Sequence, residues 1–313
     1  MSETTAPVTI GFDIGGTNLR AAAVTESGQI VGRLQVQSQG TADSMEDAVV
    51  SMTDQLMEQH DVRGMGIAVA GFLDEHREKV RFAPHLPWRD APLRSRLAAR
   101  LPIPVSLEHD ANSAAIGEAA FGAGREKRTW VLMSIGTGIG AALMHEGEIY
   151  RGAFGTAPEL GHLPVVPGGR PCPCGKRGCL ERYCSGTALA ATAQEIAVAE
   201  GAPEQLWTGE SVIEAARAGN CIGERAIAEF AEWFAVGLSM VVDMFDPELV
   251  VIGGGVAKNH DLFLVDGVDK ARSLVVGAGH RPFPTVLPAQ LGADAGMIGA
   301  AEVAWRQLRE TQQ

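Results

Sequence analysis

The sequence is short of several features that would point to particular partners. Aromatic residues make up only 5% of the chain, which disfavours base stacking, and the formal net charge of −12 opposes binding to a phosphate backbone. No run of 18 apolar residues occurs, so no segment is long enough to span a membrane. Residues 1–7 are polar and lack the basic-then-apolar pattern of a secretion signal. We therefore expect a cytoplasmic protein with neither a nucleic-acid partner nor a membrane partner.

Cysteines are few, yet three of the five fall inside eight residues, at Cys172, Cys174 and Cys179. His162 lies ten residues before the first of them. Three thiolates and an imidazole are the four ligands that a closed, tetrahedral Zn2+ site needs. A disulfide with one thiol left over, or a redox centre, is the alternative, although Cys172 and Cys174 are too close in sequence for an easy bridge. We predict a structural zinc site.

Two carboxylates, Glu159 and Glu181, bracket these ligands in the sequence. A metal that fixes the ligands also fixes the acidic side chains beside them. Rigid acidic groups suit the hydroxyls of a polyol, because each carboxylate oxygen accepts hydrogen bonds.

A glycine pair follows the first apolar run of the chain, in the stretch Asp13-Ile14-Gly15-Gly16-Thr17-Asn18. Strand, glycine turn and strand predict a β-hairpin, whose glycine amides can approach phosphate oxygens closely. Asp13 could hold Mg2+, usually through water, and Thr17 could donate to phosphate. The alternative is a tight hairpin with no ligand.

The same pattern recurs about 120 residues later, from Val131 through Gly136, Thr137 and Gly138 to Leu143. A repeat of strand, glycine hairpin and strand implies an internal duplication, hence two like domains. We expect the two hairpins to face one cleft and to suit a nucleoside triphosphate.

Periodicity and breakers predict the remaining elements. They are helices at 45–56, 114–121, 186–200, 211–218, 224–245 and 295–308, strands at 64–71, 102–107 and 249–252, and a proline-bounded loop at 83–88. The strand at 102–107 delivers Glu108, His109 and Asp110 where a helix begins, a favourable place for chemistry in an α/β sheet. Asp110 is our candidate general base, and the alternative is that it only caps the helix. Glycines 253–255 follow the strand at 249–252 and leave room for an adenine or ribose.

Six motifs together carry a family resemblance. They are Asp13-Ile-Gly-Gly-Thr-Asn18, Glu108-x-Asp110-x-Asn112, Gly136-Thr-Gly138-Ile-Gly140, Glu159-x-Gly-His162, Cys172-x-Cys-Gly-x-x-Gly-Cys179-Leu-Glu181 and Gly253-Gly-Gly255. In this order they resemble the ROK family (repressors, open reading frames, kinases), and within it the ATP-dependent glucokinases of actinobacterial type. The resemblance covers residues 8–308, and its Cys/His motif is highly specific.

The resemblance implies an α/β, actin-like or hexokinase-like fold, in which a duplicated ribonuclease-H-like unit forms two domains around a cleft. The small domain would comprise residues 1–110 and about 298–313, and the large domain residues 111–297, with the zinc segment at 159–181. The resemblance also implies a homodimer.

The resemblance also assigns roles to individual residues. Asp110 resembles the catalytic base, and His162 would bind zinc through one ring nitrogen and sugar through the other. The substrate-binding candidates are His85, His109, Asp110, Glu159, His162, Glu181 and Gly71 at the end of the strand 64–71. The nucleotide-binding candidates are Asp13, Gly15, Gly16, Thr17, Asn18, Thr137, Gly138, Gly254 and Gly255.

Two positions depart from the family, which usually has asparagine where this chain has His85 and His109. A histidine still donates one hydrogen bond, but with a different reach. The alternative for each is a neutral packing histidine. These two positions leave the preferred sugar open.

The implied reaction is phosphoryl transfer from Mg-ATP to the 6-hydroxyl of glucose. N-acetylmannosamine, mannose and fructose are alternative acceptors, and a polyphosphate donor is less favoured because relatives that use it generally lack the cysteine motif. A non-kinase, sugar-responsive regulator is a further alternative, but a first strand starting by Val8 leaves no room for a DNA-binding domain before it. A third hypothesis is that the cysteine cluster forms a zinc knuckle that contacts a protein or a nucleic acid.

Overall fold

The computed structural model describes residues 6–38, 40–202 and 205–311. The strands in these ranges are β1 (Val8–Ile14), β2 (Asn18–Thr25), β3 (Ile30–Gln37), β4 (Val62–Val69), β5 (Phe72–Leu73), β6 (Val80–Phe82), β7 (Arg89–Ala91), β8 (Val105–His109), β9 (Trp130–Ile135), β10 (Ile139–His145), β11 (Glu148–Tyr150), β12 (Leu249–Gly253) and β13 (Thr285–Pro288). The α-helices are α1 (Ala42–Gln59), α2 (Leu93–Ala98), α3 (Asp110–Phe121), α4 (Gly186–Ala199), α5 (Gly209–Arg217), α6 (Cys221–Phe245), α7 (Leu264–Leu274) and α8 (Ala295–Thr311).

Two five-stranded sheets share one topology. Their strand orders are β3-β2-β1-β4-β8 and β11-β10-β9-β12-β13. In the first sheet β1 and β2 form an antiparallel hairpin, and β4 and β8 then add in parallel. In the second sheet β12 and β13 likewise add in parallel beyond β9. The α/β fold with a duplicated sheet is therefore confirmed, whereas the small sheet β5-β6-β7 was not foreseen.

The described chain packs as two compact units. The first unit comprises the described residues up to 126, together with 142–158 and those from 293 onward, and the second unit comprises 127–141 and 159–292. The division runs within β10, and it keeps α3 in the first unit. The domain boundaries expected at residue 110 and near residue 298 remain a prediction.

In the first unit, glycines let the terminal helix α8 approach the sheet at backbone distance. A Cβ at Gly11 of β1 would lie 1.8 Å from the carbonyl oxygen of Met297, and one at Gly66 of β4 would lie 1.9 Å from that of Ala300. Any larger residue would force these elements apart. The terminal helix thus packs on the first sheet.

In the second unit, α6 is the long core helix that its apolar residues predict. It begins after Asn220, whose side chain accepts the backbone N–H groups of Ile222 and Gly223. It ends at Asp246, which has a φ of 43° and precedes a proline that cannot continue a helix. Among the described residues, no helix combines the length and apolar character needed to cross a bilayer.

Candidate active site

In the first unit, Asp110 lies where strand β8 gives way to helix α3. The helix starts at Asp110, earlier than the predicted residue 114, and the N-cap position belongs to His109. The Asp110 side chain is 43% exposed, and its Oδ1 accepts the backbone N–H of Ala111 at 2.8 Å. Asp110 is therefore a partly exposed carboxylate in the first turn of a helix, where the helix dipole favours negative charge.

Directly before it, Glu108 is buried, with a side chain only 1% exposed. Its Oε1 accepts the backbone N–H of His109 at 3.1 Å and the Asn112 side-chain amide at 3.0 Å. Its Oε2 accepts Arg151 Nη2 at 2.6 Å and Arg77 Nη1 at 3.3 Å. These donors join β8, α3 and two loops at one carboxylate.

The electrostatics of Glu108 follow from these partners. Burial raises its pKa, but the hydrogen bond and charge of Arg151, the bond from Asn112 and the charge of Arg77 outweigh burial and bring the pKa below its ordinary value. Glu108 is therefore an ionised structural acid. Sequence reasoning gave it no role and missed Arg151, which no local pattern marks as a partner of a residue 43 positions away.

The first glycine turn has the predicted hairpin geometry. Gly15 N–H donates to the Asn18 carbonyl at 3.1 Å, and Gly16 and Thr17 are exposed at the tip. A Cβ at Gly16 would lie 2.9 Å from Cβ of His85. The structure thus brings His85, predicted to bind sugar, against the glycine turn predicted to bind phosphate.

Asp13, at the end of β1, forms an ion pair with Arg20 of β2, a partner that the sequence analysis missed although the two are paired across the hairpin. Burial raises the pKa of Asp13, Arg20 opposes by charge and hydrogen bonding, and the charge of Asp110 raises it further, with a raised pKa as the net result. A single carboxylate shared with an arginine fits Mg2+ only in a site completed by water and phosphate oxygens.

In the second unit, the second glycine turn packs against the start of helix α4. Gly136 N–H donates to the Gly138 carbonyl at 2.9 Å, closing the turn. Gly186 N–H donates to the Gly136 carbonyl at 2.8 Å, and Thr187 Oγ1 donates to the Thr137 carbonyl at 3.0 Å. The turn therefore lies at a helix N-terminus, where backbone dipoles favour anions.

Glu181 lies against this same turn. Its Oε2 accepts the backbone N–H of Ile139 at 3.0 Å, and a Cβ at Gly138 would lie 2.2 Å from that oxygen. Gly138 therefore leaves space that the Glu181 carboxylate occupies. A residue predicted to bind sugar thus contacts the turn predicted to bind phosphate.

The four predicted zinc ligands come together in the second unit. One potential ligand atom from each of His162, Cys172, Cys174 and Cys179 lies within 4.8 Å of the others. The Cys174 and Cys179 sulfurs are 3.7 Å apart, as are the Cys172 sulfur and His162 Nδ1. Zinc–sulfur bonds of about 2.3 Å in a tetrahedron place sulfurs about 3.8 Å apart, so the donor set fits zinc. The other ring nitrogen of His162, Nε2, lies 3.9 Å from Glu159 Oε2.

The thiols of this cluster influence one another's protonation. The pKa of Cys179 is raised to about 12. Burial is the largest cause, and hydrogen bonds and charges from Cys174 and Cys172 add to it. The pKa of Cys174 is lowered: burial opposes this, but hydrogen bonds from the Lys176 backbone and the neighbouring thiols prevail. Zinc binds thiolates, so loading the site releases protons and is favoured by rising pH.

The glycines after β12 differ in what surrounds them. Gly254 has a φ of 86°, and a Cβ there would lie 2.4 Å from the Ile135 carbonyl oxygen, so its backbone and packing both require glycine. A Cβ at Gly255 would meet nothing within 4 Å. Of this pair, Gly255 is the one that offers bare backbone to a ligand.

Gly71 follows β4, and a Cβ there would lie 2.7 Å from Cβ of Ala83. Close packing against the chain after β6 is therefore enough to explain this glycine. Its assignment as a substrate contact stays a prediction.

Comparison with known proteins agrees with the motifs. The family model for the ROK family matches residues 9–307. A glucokinase of Streptomyces coelicolor is 37% identical over 310 residues, which cover 95% of this chain and 97% of that protein. A ROK family glucokinase from Streptomyces griseus, solved with glucose and AMPPNP, is 38% identical with a TM-score of 0.85, covering 96% of this chain and 99% of that one. A ROK hexokinase from Thermus thermophilus is 30% identical with a TM-score of 0.83, covering 97% and 99%.

Proposed function

The chain belongs to the ROK family, and from this premise we propose that it is an ATP-dependent glucokinase, which converts glucose to glucose 6-phosphate. The observation that carries the proposal is the similarity, over nearly the whole chain, to a ROK glucokinase solved with glucose and a nucleotide. N-acetylmannosamine, mannose and fructose remain alternative acceptors.

Asp110 is the proposed general base. Its carboxylate takes the proton of the glucose 6-hydroxyl while that oxygen attacks the γ-phosphorus, and the bond from phosphorus to the leaving oxygen of ADP breaks. The partial exposure of Asp110 at the start of α3 supports this role, since a base must be reachable by substrate. The proton passes to solvent after product release.

The two glycine turns are the proposed phosphate-binding elements. Backbone amides in Gly15–Thr17 and in Thr137–Gly138, the latter beside the N-terminus of α4, would neutralise phosphate charge. Asp13 and Asn18 border the first turn. Mg2+ bound to the triphosphate, with Asp13 nearby, would supply further charge neutralisation. Gly254 and Gly255 are proposed to border the adenosine.

The sugar-binding residues are proposed to be Glu159, His162 and Glu181, with contributions from His85, His109 and Gly71. A zinc ion held by His162 and the three cysteines would fix the ring of His162, with Nδ1 toward the cysteines and Nε2 toward Glu159. In this proposal zinc is structural, because four protein ligands complete its coordination.

An ADP-release assay with glucose, mannose, fructose and N-acetylmannosamine tests the function. We expect the highest kcat/KM with glucose, and Asp110→Ala should lower kcat by roughly 10²- to 10⁴-fold, the contribution of a general base. Isothermal titration should show that the variant still binds glucose. Asp54→Ala, at an exposed position of α1, is the matched control and should keep wild-type turnover.

Two results would contradict the proposal. Full activity of Asp110→Ala would remove this residue from catalysis. Sugar binding without ADP release from any sugar would favour the sugar-responsive regulator.

We further propose a homodimer located in the cytoplasm, which sedimentation and cell fractionation can test.

A further inference from the structure

In the second unit, Arg170 lies inside the zinc segment 159–181, and its side chain is only 15% exposed. Its guanidinium donates to the carbonyl oxygen of Arg182 at 2.8 Å and to the Thr192 hydroxyl at 3.1 Å. The same group pairs with the Glu195 carboxylate at 2.6 Å. Because Thr192 and Glu195 belong to helix α4, one side chain joins the zinc segment to that helix.

Two aromatic side chains complete the surroundings of Arg170. Its backbone N–H donates to the Tyr183 hydroxyl oxygen at 2.8 Å, and its guanidinium lies 4.9 Å from the centre of the Tyr183 ring. That ring packs in turn on Trp233 of α6, with 4.7 Å between ring centres. An arginine stacked on an aromatic ring keeps its planar donors in a fixed orientation. The Arg182 carbonyl is therefore bound by a donor that is itself held in place.

The Arg182 carbonyl ends the short 3-10 turn Leu180–Arg182, which carries Glu181. The last carbonyls of a helical turn have no partner within the turn, and an arginine can satisfy them. A single turn of helix is marginal by itself. Its orientation, and with it the direction of the Glu181 side chain, therefore depends on contacts from outside the turn.

We propose that Arg170 is a positioning residue for Glu181, which holds the turn Leu180–Arg182 against α4 without being a ligand of the metal. This inference rests on the proposed role of Glu181 in sugar binding. A metal bound to the cysteines would fix the turn at its start, through Cys179, and Arg170 fixes it at its end. The inference gives a function to a residue that none of the family motifs includes.

Kinetics test whether Arg170 acts on the sugar site. Arg170→Met removes the guanidinium donors, and we expect KM for glucose to rise roughly fivefold while kcat and KM for ATP stay within about twofold. Arg170→Lys keeps a charge beside Glu195 but lacks the planar fork, so KM for glucose should rise roughly threefold. Glu195→Gln is the control: it loses an ion pair whose carboxylate is 63% exposed, and it should keep wild-type constants. Thermal unfolding confirms that each variant is folded.

A double-mutant cycle separates positioning from general support of the fold. Glu181→Ala removes the side chain that is to be positioned, so adding Arg170→Met to it should change KM for glucose by less than about twofold. An equal rise in KM in both backgrounds would overturn the inference, because Arg170 would then act independently of Glu181. An unchanged KM for glucose in Arg170→Met alone would overturn it as well.

Hydrogen exchange tests the turn without relying on activity. The N–H groups of Arg182 and Tyr183 donate to carbonyl oxygens at the start of the turn, so their exchange reports on it. A peptide covering 180–185 should exchange faster in Arg170→Met than in wild type or Glu195→Gln, at equal zinc content. Unchanged exchange would overturn the inference, and so would loss of zinc from Arg170→Met, since the arginine would then act through the metal.

The two proposals fail in different ways. A wild-type protein without kinase activity would contradict the proposed function, while hydrogen exchange would still report whether Arg170 holds the turn.

Discussion

The two units hold their candidate catalytic groups by different physical means. In the first unit, Asp110 follows a strand and opens a helix, and the buried Glu108 beneath it is bound by backbone, amide and two arginines. In the second unit, the chain from 159 to 185 contains two short 3-10 turns and two isolated β-bridges, and its side chains converge on a potential metal site. In the first unit, therefore, a strand and a helix fix the Glu108 side chain through backbone, amide and arginine hydrogen bonds.

This difference indicates what an irregular segment needs to keep a single conformation. The backbone hydrogen bonds of this segment are scattered and form no continuous ladder, so they oppose its conformational entropy less than a regular strand or helix would. An ion with four ligands would add constraints that replace many weak contacts. Removing the metal should therefore disturb the second unit more than removing a carboxylate disturbs the first.

Loss of zinc is the largest effect that we expect. Cys179→Ser, or chelation of the wild-type protein, should remove about one zinc per chain, abolish kinase activity and destabilise the protein by several kcal/mol, since zinc affinity contributes directly to folding. Elemental analysis, thermal unfolding and tryptic cleavage at Lys176 and Arg177 measure the three effects.

The matched control for this change is Cys221→Ser, at an exposed cysteine outside the metal cluster. It should keep the zinc, the activity and the proteolytic pattern. If the metal-free wild-type protein resisted trypsin as well as the loaded protein, zinc would not be what orders the segment, and the contrast between the units would fail.

Glu108→Gln should have an intermediate effect. Neutralising this buried carboxylate leaves Arg151 without its charged partner, at a cost of about 3 kcal/mol in the free energy of unfolding at neutral pH. Because the folded-state pKa of Glu108 lies below the ordinary 4.5, its stabilisation is full above that value and is lost as pH falls through the folded pKa. The difference between wild type and variant should therefore be constant near neutrality and shrink in acid.

Urea unfolding at a series of pH values measures that difference. Glu58→Gln, at an exposed position of α1, serves as control and should stay within about 0.5 kcal/mol of wild type. A Glu108→Gln protein as stable as wild type at neutral pH would show that charged pairs do not hold this junction.

Local sequence patterns predicted secondary structure and the metal cluster, but they did not predict contacts between residues far apart in the sequence. The hairpins, the core helix α6 and the four-residue metal cluster each depend on residues close in sequence, so periodicity and spacing could indicate them. The Arg151–Glu108 pair joins residues 43 positions apart, and the neighbourhood of His85 and Gly16 joins residues 69 apart. Such pairs arise from the order of strands in the sheet, which one sequence does not state.

The position of Asp110 shows a second limit. The sequence placed a helix at 114, but the structure begins it at Asp110, because Glu108 and Asp110 accept backbone N–H groups of His109 and Ala111 at the first turn. Side chains that satisfy these donors extend a helix beyond its apolar periodicity. The general base could be proposed from its motif, but its place in the first turn of α3 required coordinates.

The smallest effect that we expect concerns Glu181, which belongs to the metal segment and also touches the glycine turn. In Glu181→Gln the side-chain oxygen can still accept the Ile139 N–H, so KM for ATP should stay near wild type, while KM for glucose should rise roughly fivefold through the loss of a charged acceptor. Glu181→Ala removes both contacts and should raise both constants. Glu214→Gln, at an exposed position of α5, is the control and should change neither. If Glu181→Gln changed KM for ATP alone, Glu181 would act through the turn and not on the sugar, and the metal segment would support nucleotide binding instead.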